Sequence, residues 1–573
     1  MLRRIHILPI VAASLTLAYI VLYCRSVAPY WFNPNWTTDD GLQQLFPLHS
    51  VYHPHIFQGD LIADVMRGYL APLHWGISYL ITLLTRDPVM TGHWVNLIQL
   101  ALAAVFLFLL VKARSAWTPA FFALLWFFHT RHLVQRTTGG IPRGWAPLIF
   151  TAVLYFTITS RHRAVLLALL LGCLLNPPAT FLAAFSYGLF VSLRVITRRS
   201  RKEAFRPFLE LALCAPVFAG IVLYIAQRPE EVGQMATYSE AIKMPEFQKA
   251  GGRFAFLPFD PPVKEIKRYG FQAFTTRLYQ PARFWKANIY YFVAGILLLL
   301  LLSAWLRKRE LIPPELLLFG LSSLLVYFLA RETAFLLYVP DRHLRAPLAV
   351  FFISAFSIGV WRLFWEKGDT ENLLKAWRSG LALALLGVLI YCASGDGLYG
   401  NANFNFNSTR RGLLTKWLKE NTPEDSLVAG FPITVDPVPL FAMRRVYAAS
   451  EPWHPFYKGY NEEMKKRIGI SLRAHYARTL QELVNLAVPE GIDYFVFERG
   501  RFYPDALRNA VYMEPFRPLL KDLTSRDPDQ YAYRRLPEEV DLKRFPFMPF
   551  KDKVTAIVDI AALRDYLRGH PEN

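Results

Sequence analysis

Ala71-Pro72-Leu73-His74-Trp75-Gly76-Ile77-Ser78-Tyr79-Leu80-Ile81-Thr82-Leu83-Leu84-Thr85 is the stretch on which the fold turns. It is apolar, yet a helix of about fifteen residues reaches only about 22 Å, short of the ~30 Å hydrocarbon core of a bilayer. It also carries Pro72 and His74. Whether it crosses a membrane sets the side on which later segments lie.

The surrounding sequence decides. Hydrophobic residues make up 53% of the 573, and they come in long uncharged blocks such as 289–306 and 346–361 rather than in periodic stripes. Such blocks read as membrane spans. They fall at 7–24, 93–112, 115–130, 144–160, 163–175, 178–196, 206–227, 287–306, 311–330, 347–366 and 376–394, about eleven in all. Basic clusters mark the cytoplasmic ends: Arg3-Arg4, Lys112–Arg114, Arg161–Arg163, the run from Arg194 to Arg206, Arg307-Lys308-Arg309, and Arg362 to Arg378. The N-terminus and Lys112 share a side only if 71–85 does not cross. We therefore read that stretch as an outer helix lying on the membrane. Segments 25–92, 131–143, 228–286, 331–346 and the tail from about 395 then face outward. The net charge of +20 belongs to this pattern and not to nucleic-acid binding.

The N-terminal apolar run resembles a signal peptide, but no small-x-small cleavage site follows, so it reads as an uncleaved first span. Cys24, Cys173, Cys214 and Cys392 lie in or beside apolar blocks without metal-ligand spacing. The tail, 395–573, is polar and long enough to be a domain. Helices are expected at 411–420, 458–487 and 502–511, and strands at 426–431, 445–449 and 492–497, giving an α/β domain.

The first outer loop holds Asp39-Asp40 just beyond a span. Adjacent carboxylates shift each other's pKa, and one can serve as general base toward a hydroxyl. The competing reading is a capping box formed by Asp40 and Gln43. His49, His53, His55 and His74 share the loop without zinc-motif spacing, so no cofactor is expected and a divalent metal is disfavoured. The second outer loop carries Arg136, Gly139-Gly140 and Arg143; the fourth carries Arg342, His343 and Arg345 beside Asp341. Arginines on the outer side run against the positive-inside trend and point to an anion such as a lipid phosphate. Asp60 joins the candidate binding residues. The glycine pair is either an approach for that anion or a plain turn. The long loop 228–286 suggests a mobile flap, and Trp453 and Tyr457 suggest an acceptor-binding surface. Asn176-Pro177-Pro178 is either a helix break of the transporter kind or a tight turn.

This layout resembles the GT-C glycosyltransferase superfamily, membrane enzymes that use polyprenyl-phosphate-linked or diphosphate-linked sugars. Asp39-Asp40 falls where that family's first-loop acidic motif falls, and 71–85 resembles its juxtamembrane helix. The stretch 410–428, with Trp417-Leu418-Lys419-Glu420-Asn421-Thr422-Pro423-Glu424-Asp425-Ser426, resembles the start of the outer domain in oligosaccharyltransferase catalytic subunits. Asp39-Asp40…Gln44 and Phe57-Gln58-Gly59-Asp60-Leu61 are similar to a group of bacterial membrane proteins. The resemblance implies a polytopic α-helical membrane protein of the bacterial inner membrane. Its GT-C-like transmembrane domain would be 1–394, with a C-terminal α/β extracytoplasmic domain at 395–573. It also implies transfer of a sugar from a polyprenyl-phosphate donor to an outer acceptor, with Asp39 or Asp40 as base. Two departures stand out. The second outer loop has no carboxylate, which argues against metal-dependent chemistry, and the WWD-type motif is absent, which argues against transfer to protein asparagine. The alternative is a non-catalytic GT-C relative acting in lipid binding, transport or envelope assembly.

Overall fold

The computed structural model describes residues 7–197, 201–227, 229–273, 310–333, 335–364 and 404–570, with 295, 297, 298, 301 and 302. Most of the predicted span 287–306 and all of 376–394 lie outside them. Six described helices are long and apolar enough to cross a membrane: Pro9–Trp31, Pro88–Arg114, Pro177–Thr197, Phe205–Tyr224, Pro314–Glu332 and Arg342–Leu363. Three other predicted spans are shorter helices, Trp117–His129, Ala146–Ile158 and His162–Leu175, of 13, 13 and 14 residues. At 1.5 Å per residue each reaches about 20 Å.

Loops predicted to share the inner side do meet at one end of the bundle. Arg114 donates to Glu315 (3.0 Å) and to the Ile158 carbonyl (3.3 Å), while Arg362 donates to the carbonyls of Arg114 (3.1 Å) and Glu310 (2.8 Å).

At the other end, the first loop closes on itself. Trp31 Nε1 donates to Asn96 Oδ1 (2.7 Å), and His93 hydrogen-bonds the carbonyls of Trp31 (2.8 Å) and Trp36 (2.9 Å). The chain thus leaves the bundle at Trp31 and re-enters near Pro88 on the same side. Between them, helix Pro72–Thr85 has both ends there. Trp145 Nε1 reaches His74 near its start (3.0 Å), and Thr82 Oγ1 meets Thr91 Oγ1 near its end (3.0 Å). Its polar residues His74, Ser78 and Thr82 are buried, while Leu80 and Leu84 are 62% and 85% exposed. A helix that turns leucines outward and hydroxyls inward has its apolar face toward lipid, not water. Both ends of this helix lie at one end of the bundle, so it does not cross the bundle, as the sequence predicts.

Above that end sits a second layer. Strand β1 (Trp36–Thr37) pairs antiparallel with β2 (Phe406–Asn407), joining the first loop to the tail. Tail strands β3 (Leu427–Gly430), β4 (Arg445–Val446), β5 (Tyr494–Glu498), β6 (Phe550–Lys551) and β7 (Thr555–Asp559) form one sheet, in the order β4-β3-β5-β7-β6. The β4-β3-β5 half is parallel and the rest antiparallel. Helices Leu414–Asn421, Lys458–His475 and Leu480–Ala487 lie where helical pattern was expected. The core of this layer is shared: Leu42, Phe46 and Met66 of the first loop, Val232, Phe247 and Leu257 of the third, and Phe335 of the fourth pack with tail residues such as Val428 and Phe495.

That sharing corrects one expectation. The described part of loop 228–286 is not a free flap. Phe247 and Glu246 are fully buried, the Ala236 N–H donates to the Phe456 carbonyl (2.8 Å), and the Lys458 N–H donates to the Gln234 carbonyl (2.9 Å). Apolar residues spaced through the loop give it a core to join. Trp453 is corrected too. It is fully buried with its indole on Asn461 (2.8 Å), so it packs the core and offers no acceptor surface.

Candidate functional site

The acidic pair opens a short helix, Asp39–Gln44, whose N-cap is Thr38. Thr38 is extended, and its hydroxyl accepts the Gly41 N–H (2.9 Å). A threonine in this role satisfies an orphan amide of the first turn, so the expected Asp40 capping box does not form. Instead the Gln43 side-chain amide donates to Asp40 Oδ1 (3.2 Å). Asp39 is exposed; its Oδ1 accepts the Asp40 N–H (2.9 Å), and its own N–H donates to Asn405 Oδ1 (2.9 Å). Of the two carboxylates, Asp39 keeps one oxygen without a partner among the described residues.

The second loop approaches this helix through Gly139-Gly140. Both have positive φ, +89° and +62°, and the Gly140 N–H closes a turn on the Thr137 carbonyl (3.1 Å). A Cβ on Gly140 would lie 1.9 Å from the Gly92 carbonyl oxygen, and one on Gly139 would lie 2.9 Å from Thr38 Oγ1. The glycines therefore make a plain turn pressed against the capping threonine. Asn176 holds the same loop, donating to the Pro142 carbonyl (3.1 Å) and capping the next helix at Ala179 N–H (3.1 Å), which makes Asn176-Pro177-Pro178 a turn. The loop delivers Arg143 to Asp40, where the two form an ion pair with side chains 25% and 30% exposed. Burial pushes the Asp40 carboxyl up, but Arg143 and then Arg342 outweigh it and hold it below the usual carboxylate range.

Four arginines gather here from two loops. Arg345 pairs with Asp341 and stacks over the Tyr269 ring at 4.2 Å. The side chains of Arg136 and Arg342 make no hydrogen bond or ion pair among the described residues. Burial, with Arg342, Arg143 and Arg345 nearby, presses the Arg136 pKa well below its ordinary value. Asp341 and Asp40 both act on Arg342, whereas at Arg136 the three neighbouring arginines outweigh Asp341, so the positive charge of the group is least compensated at Arg136. Four guanidiniums with two carboxylates among them are a candidate anion site, and forked donors suit phosphate.

Two expected members stand apart. His343 is buried with Nε2 on the Leu337 carbonyl (2.8 Å), so it braces its loop. Asp60 is the N-cap of helix Leu61–Gly68, accepting the Ala63 N–H (2.8 Å). Burial raises its pKa, and the charges acting on it are Arg467 and Arg445 of the tail, not the arginine group. The loop histidines are likewise engaged: His49 with the Leu440 carbonyl (2.8 Å), His55 with Glu424 (2.6 Å), His53 at 3.8 Å from Glu424. No group of three His, Cys, Asp or Glu that could hold a metal occurs among the described residues. The donor set at Asp40, faced by two guanidiniums, suits an anion rather than a divalent cation.

The tail adds residues that local spacing did not reveal. Arg253 Nη2 donates to Glu451 Oε2 (3.0 Å) and to the Glu451 carbonyl (3.0 Å). Burial raises the Glu451 pKa, Arg253 opposes that, and Asp39 and Asp40 raise it further, so Glu451 faces the acidic pair. Behind it, buried Asp436 accepts the N–H groups of Ser450 (2.7 Å) and Glu451 (2.9 Å), and burial followed by the Glu451 charge pushes its carboxyl up to about 8. His454 also acts on Asp40; burial lowers its pKa to about 3, leaving it neutral.

No protein-family model and no curated protein matches the sequence. Solved structures do. The archaeal oligosaccharyltransferase AglB from Archaeoglobus fulgidus, solved in complex with an inhibitory peptide and a dolichol-phosphate, aligns at TM-score 0.50 and 12% identity over 90% of this chain and 72% of that one. ArnT from Cupriavidus metallidurans, in the apo state, aligns at TM-score 0.45 and 10% identity over 95% and 98%. The chain is a multi-pass helical membrane protein with a GT-C-like fold.

Proposed function

We propose that the protein is a GT-C-type glycosyltransferase that moves a sugar from a polyprenyl-phosphate donor to an extracytoplasmic acceptor. It would sit in the bacterial inner membrane with about eleven spans, a cytoplasmic N-terminus and an extracytoplasmic tail domain. The observation that carries this reading is the pair of guanidiniums beside the Asp39-Asp40 helix, Arg136 and Arg342, that make no hydrogen bond or ion pair among the described residues. The fold adds support, since AglB holds a dolichol-phosphate.

The chemistry divides along the same line. An acceptor oxygen attacks the anomeric carbon with inversion. The bond from that carbon to the phosphate oxygen breaks, and its electron pair stays on the phosphate. Arg136 and Arg342 stabilise the charge that develops there, an effect larger in the transition state than in the ground state. Asp40, tied to Arg143 and held below the usual range, is a poor base and serves to fix that arginine. Asp39 has one carboxylate oxygen without a partner among the described residues and takes the acceptor's proton. No metal enters this scheme.

The test is release of decaprenyl phosphate from decaprenyl-phosphate-linked glucose by purified protein in nanodiscs. Asp39→Asn is expected to lower the rate about 100-fold with donor binding unchanged. Full activity in Asp39→Asn removes Asp39 as base. Donor binding without release in the wild type would instead mark a non-catalytic lipid-binding protein.

A further inference from the structure

A second cavity, of about 730 Å³, lies between the first loop, the turn that joins helix Pro72–Thr85 to helix Pro88–Arg114, and the tail layer. That volume suits a small-molecule group. Leu48, Tyr52, Val89 and Leu440 give it an apolar wall, and Arg86 and Lys419 stand on its polar wall. Neither Asp40 nor any of the four clustered arginines lines it.

The charges at this cavity do not balance once their partners are assigned. Asp87 caps helix Pro88–Arg114 through the N–H groups of Val89 (2.7 Å) and Met90 (3.0 Å). Glu424 is taken by His55 and His53. Arg444 is spent on carbonyls of the tail, among them Thr422 (2.6 Å) and Lys419 (3.0 Å). The exposed side chains of Arg86 and Lys419 make no hydrogen bond or ion pair among the described residues. Arg86, Lys419 and Arg444 set against Asp87 and Glu424 leave the lining a net formal charge of +1 for a ligand.

Arg86 carries a second sign. It is the C-cap of helix Pro72–Thr85 with φ 55° and ψ 17°, a left-handed conformation. Glycine takes that position in most helices that end this way, because it has no Cβ to strain. An arginine kept there holds a strained backbone in place, which points to a use for its side chain. The cavity also adjoins membrane. Leu83 and Leu84 precede it with exposed side chains, Tyr52 is part-exposed and donates to the Leu83 carbonyl (2.8 Å), and the exposed rings of Phe32, just past the first helix, and Trp94, in the second turn of helix Pro88–Arg114, meet edge-on. Aromatic rings at helix ends mark the headgroup level of a bilayer.

We infer that this cavity binds the phosphate headgroup of an anionic membrane lipid, with Arg86 and Lys419 on the phosphate and the acyl chains along Leu83 and Leu84. The site is separate from the arginine cluster and does not depend on the transferase reading. Basic side chains at this level attract anionic headgroups, each worth about a fivefold change in affinity.

The experiment is native mass spectrometry of the purified full chain with phosphatidylglycerol, phosphatidylcholine or inorganic phosphate, in an Arg136→Gln/Arg342→Gln background that removes the other anion site. Expected is one tightly retained phosphatidylglycerol, weakened about fivefold by Arg86→Gly, about fivefold by Lys419→Gln and by roughly the product in the double variant. Arg86→Gly relieves the left-handed strain, so it is expected to melt no lower than its parent, which separates lost binding from lost folding. Equal retention by the double variant, or of phosphatidylcholine, overturns the assignment. Inorganic phosphate held as tightly as the lipid would show a soluble-anion pocket and overturns it as well.

Discussion

Gly140 carries much of the geometry that brings Arg143 to Asp40. Adding a methyl there places Cβ 1.9 Å from a carbonyl oxygen and forces a left-handed φ on an L side chain. Gly140→Ala is expected to destabilise the protein by about 2 kcal/mol or more, measured as a lower melting temperature, and to weaken decaprenyl phosphate binding through a displaced Arg143. Asp436 gives a pH signature. Its folded carboxyl titrates near 8 and an unfolded aspartate near 4, so the folded state holds an extra proton between those values. Stability from this group is full below about pH 4 and is lost as pH rises toward 8. Asp436→Asn, neutral at every pH, is expected to flatten the fall in melting temperature between pH 5 and 8, by the equivalent of at least about 1 kcal/mol. An unchanged pH profile would mean that Asp436 is ionised in the fold. Some of these residues were legible in sequence and some were not. Arg136, Arg143 and Arg342 stand out as outward charges on apolar flanks. Glu451, Asp436 and Arg253 do not, because they meet Asp39 and Asp40 only through the shared core. His343 and Asp60 carry the right chemistry but are spent locally, one on a carbonyl and the other on a helix cap.

Helix Pro72–Thr85 shows why charge succeeded where hydropathy alone would have failed. By composition it reads as a span, yet its buried face is His74, Ser78 and Thr82. The basic clusters on either side of it are consistent with a helix that does not cross the bundle. A Leu84→Cys variant carrying a fluorophore is expected to be quenched by brominated acyl chains and to react slowly with a water-soluble maleimide. Fast maleimide reaction without quenching would put this face in water. The short helices Trp117–His129, Ala146–Ile158 and His162–Leu175 are the opposite case. Trp117–His129 and Ala146–Ile158 are shorter than the stretches 115–130 and 144–160 that read as spans, while His162–Leu175 matches 163–175 within a residue.

The whole molecule is a bundle under a layer whose core is drawn from three loops as well as the tail. That sharing was not legible, because a core assembled from segments hundreds of residues apart leaves no local period. In the proposed anion site, arginines from two loops lie between the bundle and a packed layer, rather than on a free flap. Donor binding is therefore expected to survive salt better than a surface patch would, with affinity for decaprenyl phosphate falling less than tenfold between 50 and 300 mM NaCl, about the range over which exposed charges are screened. The most direct measurement is a cryo-electron-microscopy structure of the full chain in nanodiscs at saturating decaprenyl phosphate. The expected result is phosphate density within hydrogen-bonding reach of Arg136 and Arg342, beside Asp39. Saturated binding with the phosphate elsewhere, or with both guanidiniums still unpartnered, would contradict the assignment of this site.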